Sequence, residues 1–424
     1  MKTRGLSLDQ APPEDISFRF FLTAPLFGAI AGGLVLLQGS ELFLTTWYGK
    51  TIALTHLITL GWLAMIMLGA FYQMMPVLIG GGIPFLSLSR FVHAGVFLGV
   101  LGLTGGIWEG YQIGFVVASA VLTVCFSVFI VQMAIPLFKV KTNRPTALAM
   151  RVSIISLALT VVLGGWMAGQ FAGWWSIPFP REALKSVHLT LGLLGWVACL
   201  IMGVGFHIIP MFYLACSFPE RAAWQSLGLL LITLVVLPVA FLLEIPGMGK
   251  VAAAIPAMAG GGLFIVTLVA LFRQRKRKIV DTTLRFWQLG LFCLLISFPL
   301  LLAGLWLPEE QWDFLFAMLF LVGFAVSITN GMLYKIIPFL IWLHRFSSLV
   351  GKVKVPFMAE IAPDAPARKQ WWVSVAALAV LSLGIASHLD GVLRLGGMLW
   401  LFSSGLLFFN LYKALKMKPP DILE

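Results

Sequence analysis

The stretch THLITLGWLAMIMLGAFYQMMPVLIGG, residues 55–81, is apolar for most of its length but carries a histidine, His56, near its start. About 20 mostly apolar residues in a helix span the hydrocarbon of a bilayer, so the stretch predicts a transmembrane helix. An ionisable side chain within such a helix is costly and points to function. One stretch therefore predicts both a membrane fold and a candidate functional residue.

The composition extends the membrane prediction to the whole chain. Hydrophobic residues make up 60% and charged residues 11% of the 424 residues, whereas soluble domains have roughly 45–50% and about 25%. The alternating polarity of membrane β-barrel strands is missing from the apolar runs. We therefore predict an all-α integral membrane protein with twelve transmembrane helices. The segments lie at residues 18–38, 51–80, 89–108, 112–138, 147–171, 183–213, 222–244, 250–272, 284–306, 311–343, 371–388 and 393–416.

The distribution of basic residues predicts the orientation in the membrane. With these helices, 23 of the 29 Lys and Arg residues fall at the termini, in the loops after even-numbered helices or in the adjoining helix ends. The run RQRKRK at 273–278 dominates one of these loops. Basic loops stay in the cytoplasm, so we predict a bacterial inner membrane protein with both termini cytoplasmic. Anionic lipid headgroups account for the net charge of +12. A nucleic-acid partner is not expected, because the sequence shows no basic soluble domain.

Two later stretches, residues 187–212 and 321–342, resemble the opening one. Offsets of 134 and then 128 residues align four positions: Gly61, Gly69, Tyr72 and Pro76 with Gly195, Gly203, Phe206 and Pro210, and then with Gly323, Gly331, Tyr334 and Pro338. The copies are helices two, six and ten. We therefore predict one membrane domain, residues 1–424, of three four-helix repeats (about 17–138, 146–273 and 284–416) in a pseudo-threefold ring. The matched glycines would allow close helix approach.

His56 and His188 both lie near the outer surface in this topology. His56 aligns with position 190, two residues from His188. Two residues rotate a side chain by about 200° and move it by about 3 Å along a helix. In a ring, the two imidazoles would then converge at one depth from opposite flanks, as the two axial ligands of one haem require. The alternative is that each histidine packs and hydrogen-bonds to a neighbouring helix.

Two cations precede His188. Arg181 and Lys185 would lie beside a haem edge on the outer side and could pair with its propionates, since Arg matches a carboxylate with two hydrogen bonds. The alternative is that both are ordinary interfacial cations.

His207 and Met318 are weaker metal-ligand candidates. His207 lies 19 residues after His188, about 28 Å along a straight helix, so these two cannot bind the same iron. It aligns with Gln73 and Lys335, and a polar residue in all three copies indicates an inner interface or a proton-accessible cavity, with snorkelling to the surface as the alternative. Met318 stands where the third copy aligns with His56.

The residues from His56 through YQMMPVLIGGGIPFLSLSR resemble helix two of the catalytic subunit of haem-copper oxidases and nitric oxide reductases, whose histidine holds the low-spin haem. The stretch from His188 to GVGFHIIPMF is similar to that family's tenth helix, which carries histidine ligands at its outer end. The resemblance implies twelve helices in three arcs of four, cytoplasmic termini, and haem near the periplasmic side.

The chain departs from that family at the copper site. It has no His-His pair, and the segment 222–244 contains no histidine. We therefore predict no copper and no four-electron reduction of oxygen. The chain resembles divergent, copper-free members of the superfamily, with the NnrS-type haem proteins as the nearest analogy, although their HxHE signature is missing.

These observations predict a membrane protein that binds a haem of b type through His56 and His188. Its work would be electron transfer, or sensing or reaction of a small gas such as NO or O2, which leaves open whether it is an oxidoreductase. Electrons would come from a quinol or a separate cytochrome. The alternative function is a transporter or a respiratory-complex assembly factor that kept the fold, and the glycines within residues 258–264 leave broken transporter helices possible.

Overall fold

The structure is a computed structural model that describes residues 12–176, 178–276 and 278–419. Within them, twelve helices are long and apolar enough to cross a membrane, and the predicted twelve-helix all-α fold is confirmed. The residues at both termini, predicted to be cytoplasmic, lie outside the described part. The helices are α1 (Glu14–Phe43), α2 (Gly49–Ile79), α3 (Leu86–Glu109), α4 (Gln112–Lys139), α5 (Pro145–Phe171), α6 (Arg181–Phe212), α7 (Glu220–Leu242), α8 (Gly247–Gln274), α9 (Thr282–Trp306), α10 (Gln311–Leu349), α11 (Asp364–Ser387) and α12 (Asp390–Leu415).

Two local features of the helices differ from the sequence expectations. Helix α10 continues to Leu349, so His344 and Arg345 lie within it rather than after it. Helix α8 runs without a break through its glycines at 260–262. The continuity of α8 agrees with the absence of water from the hydrocarbon, where a backbone group that leaves the helix finds no other hydrogen-bond partner.

The chain forms two compact units, each assembled from segments that are separate in sequence. The first unit holds residues 74–279 and 293–316, and therefore α3 to α8. The described part of the second unit holds residues 12–73, 280–292 and 317–419, and therefore α1, α11 and α12. Helices α2, α9 and α10 contribute to both. The single domain and the pseudo-threefold ring stay predictions.

One of the matched glycines makes the same contact in all three copies. A Cβ atom built on it would lie less than 3.0 Å from a side chain on the first helix of its own repeat. The pairs are Gly69 with Phe20 on α1, Gly203 with Ala149 on α5, and Gly331 with Phe286 on α9. The glycine thus lets the second helix of each repeat pack closely on the first, as small residues do in membrane proteins.

In the second unit, α1 and α12 cross at two facing glycines. A Cβ atom on Gly397 would lie 2.5 Å from the backbone nitrogen of Leu36 and 2.8 Å from the carbonyl oxygen of Gly32. Because these are backbone atoms, no change of side-chain rotamer would relieve the clash. Gly405, further along α12, has open space around it.

We expect Gly397→Ala to destabilise the protein, because the added methyl forces α1 and α12 apart. Overpacking costs about 1–3 kcal/mol, which would lower the thermal unfolding midpoint of the detergent-solubilised protein. Gly405→Ala is the matched control on the same helix and should leave the midpoint unchanged. Equal midpoints for the two variants would contradict the close crossing.

Candidate functional site

His56 is held by a hydrogen bond within its own helix. Its side chain is half-buried, and its Nδ1 atom lies 2.8 Å from the carbonyl oxygen of Ile52, four residues earlier. A carbonyl oxygen only accepts hydrogen bonds, so Nδ1 carries the proton and the neutral ring keeps an unprotonated Nε2. Histidine ligands of metals are oriented in the same way, by a hydrogen bond from the nitrogen that does not bind the metal. His56 can therefore present Nε2 as a ligand.

The second helix of each repeat contains a π-helical segment, which in two copies follows a candidate histidine. The segments are Leu57–Ala64 in α2, Leu191–Ala198 in α6 and Met318–Val326 in α10. The offsets of 134 and 128 residues that align the sequences also align these segments to within one residue. π-helical turns are rare and occur frequently at functional sites, because the wider turn redirects side chains. The same unusual backbone thus recurs beside both candidate ligands and in the third copy.

In the second unit, the π-helical segment of α2 is anchored to α10 by a buried hydrogen bond. The indole Nε1–H of Trp62 donates to Oδ1 of Asn330 over 3.3 Å. Trp62 also fills the space above Gly28 on α1. This anchor fixes the part of α2 that directly follows His56.

His188 lies in the first unit and is half-buried. Its ring packs against α5, where a Cβ atom built on Gly164 would lie 3.3 Å from the Cε1 atom of the imidazole. Gly164 thus leaves room beside the ring. Because His56 belongs to the second unit, the convergence of His56 and His188 on one iron stays a prediction.

The two predicted propionate partners, Arg181 and Lys185, have different surroundings in the first unit. Lys185 is paired with Glu182, with 2.8 Å between Nζ and Oε2. The guanidinium carbon of Arg181 lies 5.8 Å from the ring centroid of Phe171, and the residue is exposed. Arg181 is therefore the more accessible cation on this side of His188.

Met318, the weaker candidate of the third copy, is buried at the start of the π-helical segment of α10. The remaining histidines differ in exposure: His93 is half-buried, whereas His344 and His388 are exposed. Among the described residues, no three His, Cys, Asp or Glu side chains are grouped so that they could hold a metal ion. A haem needs only one or two protein ligands, so this observation does not bear on it.

Lys335 forms a buried ion pair that the sequence analysis missed. Its Nζ atom lies 2.6 Å from Oδ2 of Asp281, the residue before α9, and both side chains are less than one-fifth exposed. The Asp281 carboxylate also accepts hydrogen bonds from the Thr283 hydroxyl and the Leu284 N–H. Burial alone would raise the pKa of Asp281, but Lys335 and these hydrogen bonds together lower it below its ordinary value. Lys335 is thus neutralised within the protein and does not snorkel to the surface.

The two residues aligned with Lys335 have other surroundings. Gln73 is buried in the second unit. His207 is half-buried in the first unit, where it lines a cavity together with Arg144, the residue before α5. Gln73 is buried, whereas His207 and Lys335 are half-buried, so the aligned polar residue has a different environment in each copy.

Comparison with known proteins gives no family for this chain: neither a protein-family model nor a curated protein sequence matches it. The resemblance to the catalytic subunit of haem-copper oxidases is therefore carried by the motifs around His56 and His188 alone.

We expect Asp281→Asn to lower the stability by about 1.5–3 kcal/mol, because the variant removes the carboxylate that pairs with the Lys335 ammonium. The double variant Asp281→Asn/Lys335→Gln should recover part of this loss, since it removes both charges. Asp15→Asn is the control, because its pair with Arg19 is exposed and such pairs contribute about 0–1 kcal/mol. A loss no larger than that of Asp15→Asn in thermal unfolding would refute the role of the pair.

The pair also predicts an acid-dependent stability. A carboxyl whose pKa is lower in the folded than in the unfolded state stabilises the fold above its unfolded pKa, and this contribution is lost as the pH falls through the folded-state pKa. Between neutral pH and pH of about 3, below the reference pKa of Asp, wild type should therefore lose more thermal stability than Asp281→Asn. Parallel pH profiles of the two proteins would show that Asp281 does not contribute.

Proposed function

We propose that this protein binds haem through His56 and His188 and serves in electron transfer, or in sensing or reaction of a small gas such as NO or O2. The observation that carries the proposal is the hydrogen bond between His56 Nδ1 and the Ile52 carbonyl oxygen, 2.8 Å long. It orients the ring and leaves Nε2 as an electron-pair donor, which is the form of imidazole that binds iron.

The surroundings of His188 support the same role. A side chain at position 164 would meet its ring, so the glycine there keeps the space beside Cε1 open. Arg181 supports a propionate contact better than Lys185 does, because Lys185 is already paired with Glu182. We therefore propose Arg181 as the cation that meets the acidic edge of the haem, with Lys185 in second place.

In this proposal the side chains of the protein hold and orient the haem. A bound haem would supply an iron that changes its oxidation state by one electron. If His56 and His188 fill both axial positions of one haem, the iron has no open position, which favours electron transfer. If each histidine holds its own haem, an open position remains for a small gas. Electrons would come from a quinol or a separate cytochrome.

The alternative function as a transporter rested on the glycines of α8, and packing accounts for two of these. Helix α8 is continuous there. A Cβ atom on Gly260 would lie 2.6 Å from the carbonyl oxygen of Ser226 on α7, and one on Gly261 would lie 2.8 Å from the ring of Phe298 on α9. A transporter or a respiratory-complex assembly factor that kept the fold without a cofactor stays the alternative, and haem content distinguishes it from a haem protein.

We expect the protein purified from haem-replete cells to be red, with a Soret band that sharpens on reduction with dithionite. His56→Ala and His188→Ala should each lower the haem content or change the iron from low-spin to high-spin, because each removes an axial ligand. Loss of a ligand from one shared haem changes the whole spectrum, whereas two separate haems would lose about half of the absorbance in each variant.

The matched controls are His93→Ala and His388→Ala, which remove imidazoles near helix ends and should leave the spectrum unchanged. The proposal is wrong if His56→Ala and His188→Ala keep the haem content and spectrum of wild type. It also fails if purified wild type, expressed with excess haem, contains none.

A further inference from the structure

A cavity of about 270 Å³ lies in the first unit, where α5 begins and α6 approaches its end. Its polar lining consists of Thr142, Arg144, Thr146 and His207, and the end of α2, residues 77–80, forms another wall. In the predicted topology this is the cytoplasmic side of the membrane. The volume lies just below the range of about 300–1,000 Å³ that holds drug-sized ligands, so the cavity fits a small ligand or a headgroup.

The charge at the cavity is positive. The Arg144 guanidinium carries a permanent positive charge, and His207 adds an imidazole. The first turn of α5, a helix of 27 residues that begins at Pro145, presents its positive dipole end and free N–H groups there. The described lining includes no Asp or Glu, and among the described residues the Arg144 and His207 side chains have no hydrogen-bond partner. The site is therefore complementary to an anion.

In the third copy, the protein itself supplies an anion to the residue that aligns with His207. There, the residue before the first helix is Asp281, and it binds Lys335 over 2.6 Å. In the second copy the residue before the first helix is Arg144, a cation, and the residue aligned with Lys335 is His207. In the first copy the residue before the first helix is Pro13, and the residue aligned with Lys335 is the neutral Gln73. The second copy thus places a cation beside a cavity where the third copy has an internal carboxylate.

Hydrogen bonds from Arg151 hold the backbone at Thr142, which forms one wall of the cavity. The guanidinium of Arg151 donates to the carbonyl oxygens of Leu137 and Val140 over 2.9 Å and 2.7 Å, and to that of Thr142 over 3.4 Å. Arg151 thus ties the end of α4 and the following loop to α5. Thr142 thus lines the cavity from a backbone segment that Arg151 holds in place, and a prearranged site costs less to order on binding.

From these observations we infer that the cavity is a binding site for a phosphate group, either free phosphate or the phosphate of an anionic lipid headgroup. A guanidinium binds a phosphate with two parallel hydrogen bonds, and the Thr hydroxyls and the N–H groups of α5 supply further donors. The inference is independent of haem binding.

The test uses the full-length protein in a non-ionic detergent and titration calorimetry with two probes at constant ionic strength. One probe is inorganic phosphate and the other is dihexanoyl phosphatidylglycerol. Arg144→Gln and His207→Gln should each weaken binding about tenfold, as expected for the loss of a charge-assisted hydrogen bond. Lys141→Gln is the matched control, because Lys141 is a cation of the same loop that does not line the cavity.

Each outcome of the titrations supports or overturns the phosphate site. Saturable binding of either probe that needs Arg144 and His207 but not Lys141 supports it, and the probe that binds identifies the source of the phosphate. No binding of either probe to wild type, or equal weakening in Lys141→Gln, overturns it. The folding control is Arg144→Asp/His207→Lys, which recreates the pair of the third copy. This variant should lose phosphate binding while its thermal midpoint equals or exceeds that of wild type.

Discussion

A charged side chain inside an apolar helix bundle requires a partner, because neither lipid nor packed side chains replace the water that it loses. This constraint acts at one aligned position on α2, α6 and α10. Copy three satisfies it with the carboxylate of Asp281, which binds Lys335 over 2.6 Å. Copy one replaces the charge with the neutral, buried Gln73. In copy two, His207 and Arg144 line a cavity. The partner that we infer for them is an external anion.

The same second helices carry the candidate iron ligands at their other ends. Glycine at one matched position lets each of them pack closely on the first helix of its repeat. The π-helical segments recur at matching positions along all three helices, to within one residue. The histidines precede these segments in two copies, whereas the third copy has Met318 at the end that aligns with His56. A repeated scaffold thus carries different chemistry in each copy, as expected when function lies in side chains grafted on a fold.

The sequence predicted some contacts and missed others for identifiable reasons. The twelve helices followed from the lengths of the apolar runs, and the close approach at Gly69, Gly203 and Gly331 from their shared register. Asp281 was overlooked because it lies in a loop, 54 residues from its partner Lys335. The residues next to Asp281 in the sequence do not indicate that the two pair. Arg144 looked like one of many cytoplasmic loop cations. A comparison of the residues that precede α5 and α9 would have singled out both.

By itself, the sequence determined those features that depend on neighbours along one helix. These are the number of spans, which follows from the lengths of the apolar runs, and the register shared by the second helices of the repeats. Only the tertiary structure decided which helices meet: the bond from Trp62 to Asn330, 268 residues away, and the ion pair of Asp281 with Lys335. The physical reason is that helical periodicity fixes the face on which a side chain lies, whereas its partner is set by how whole helices pack.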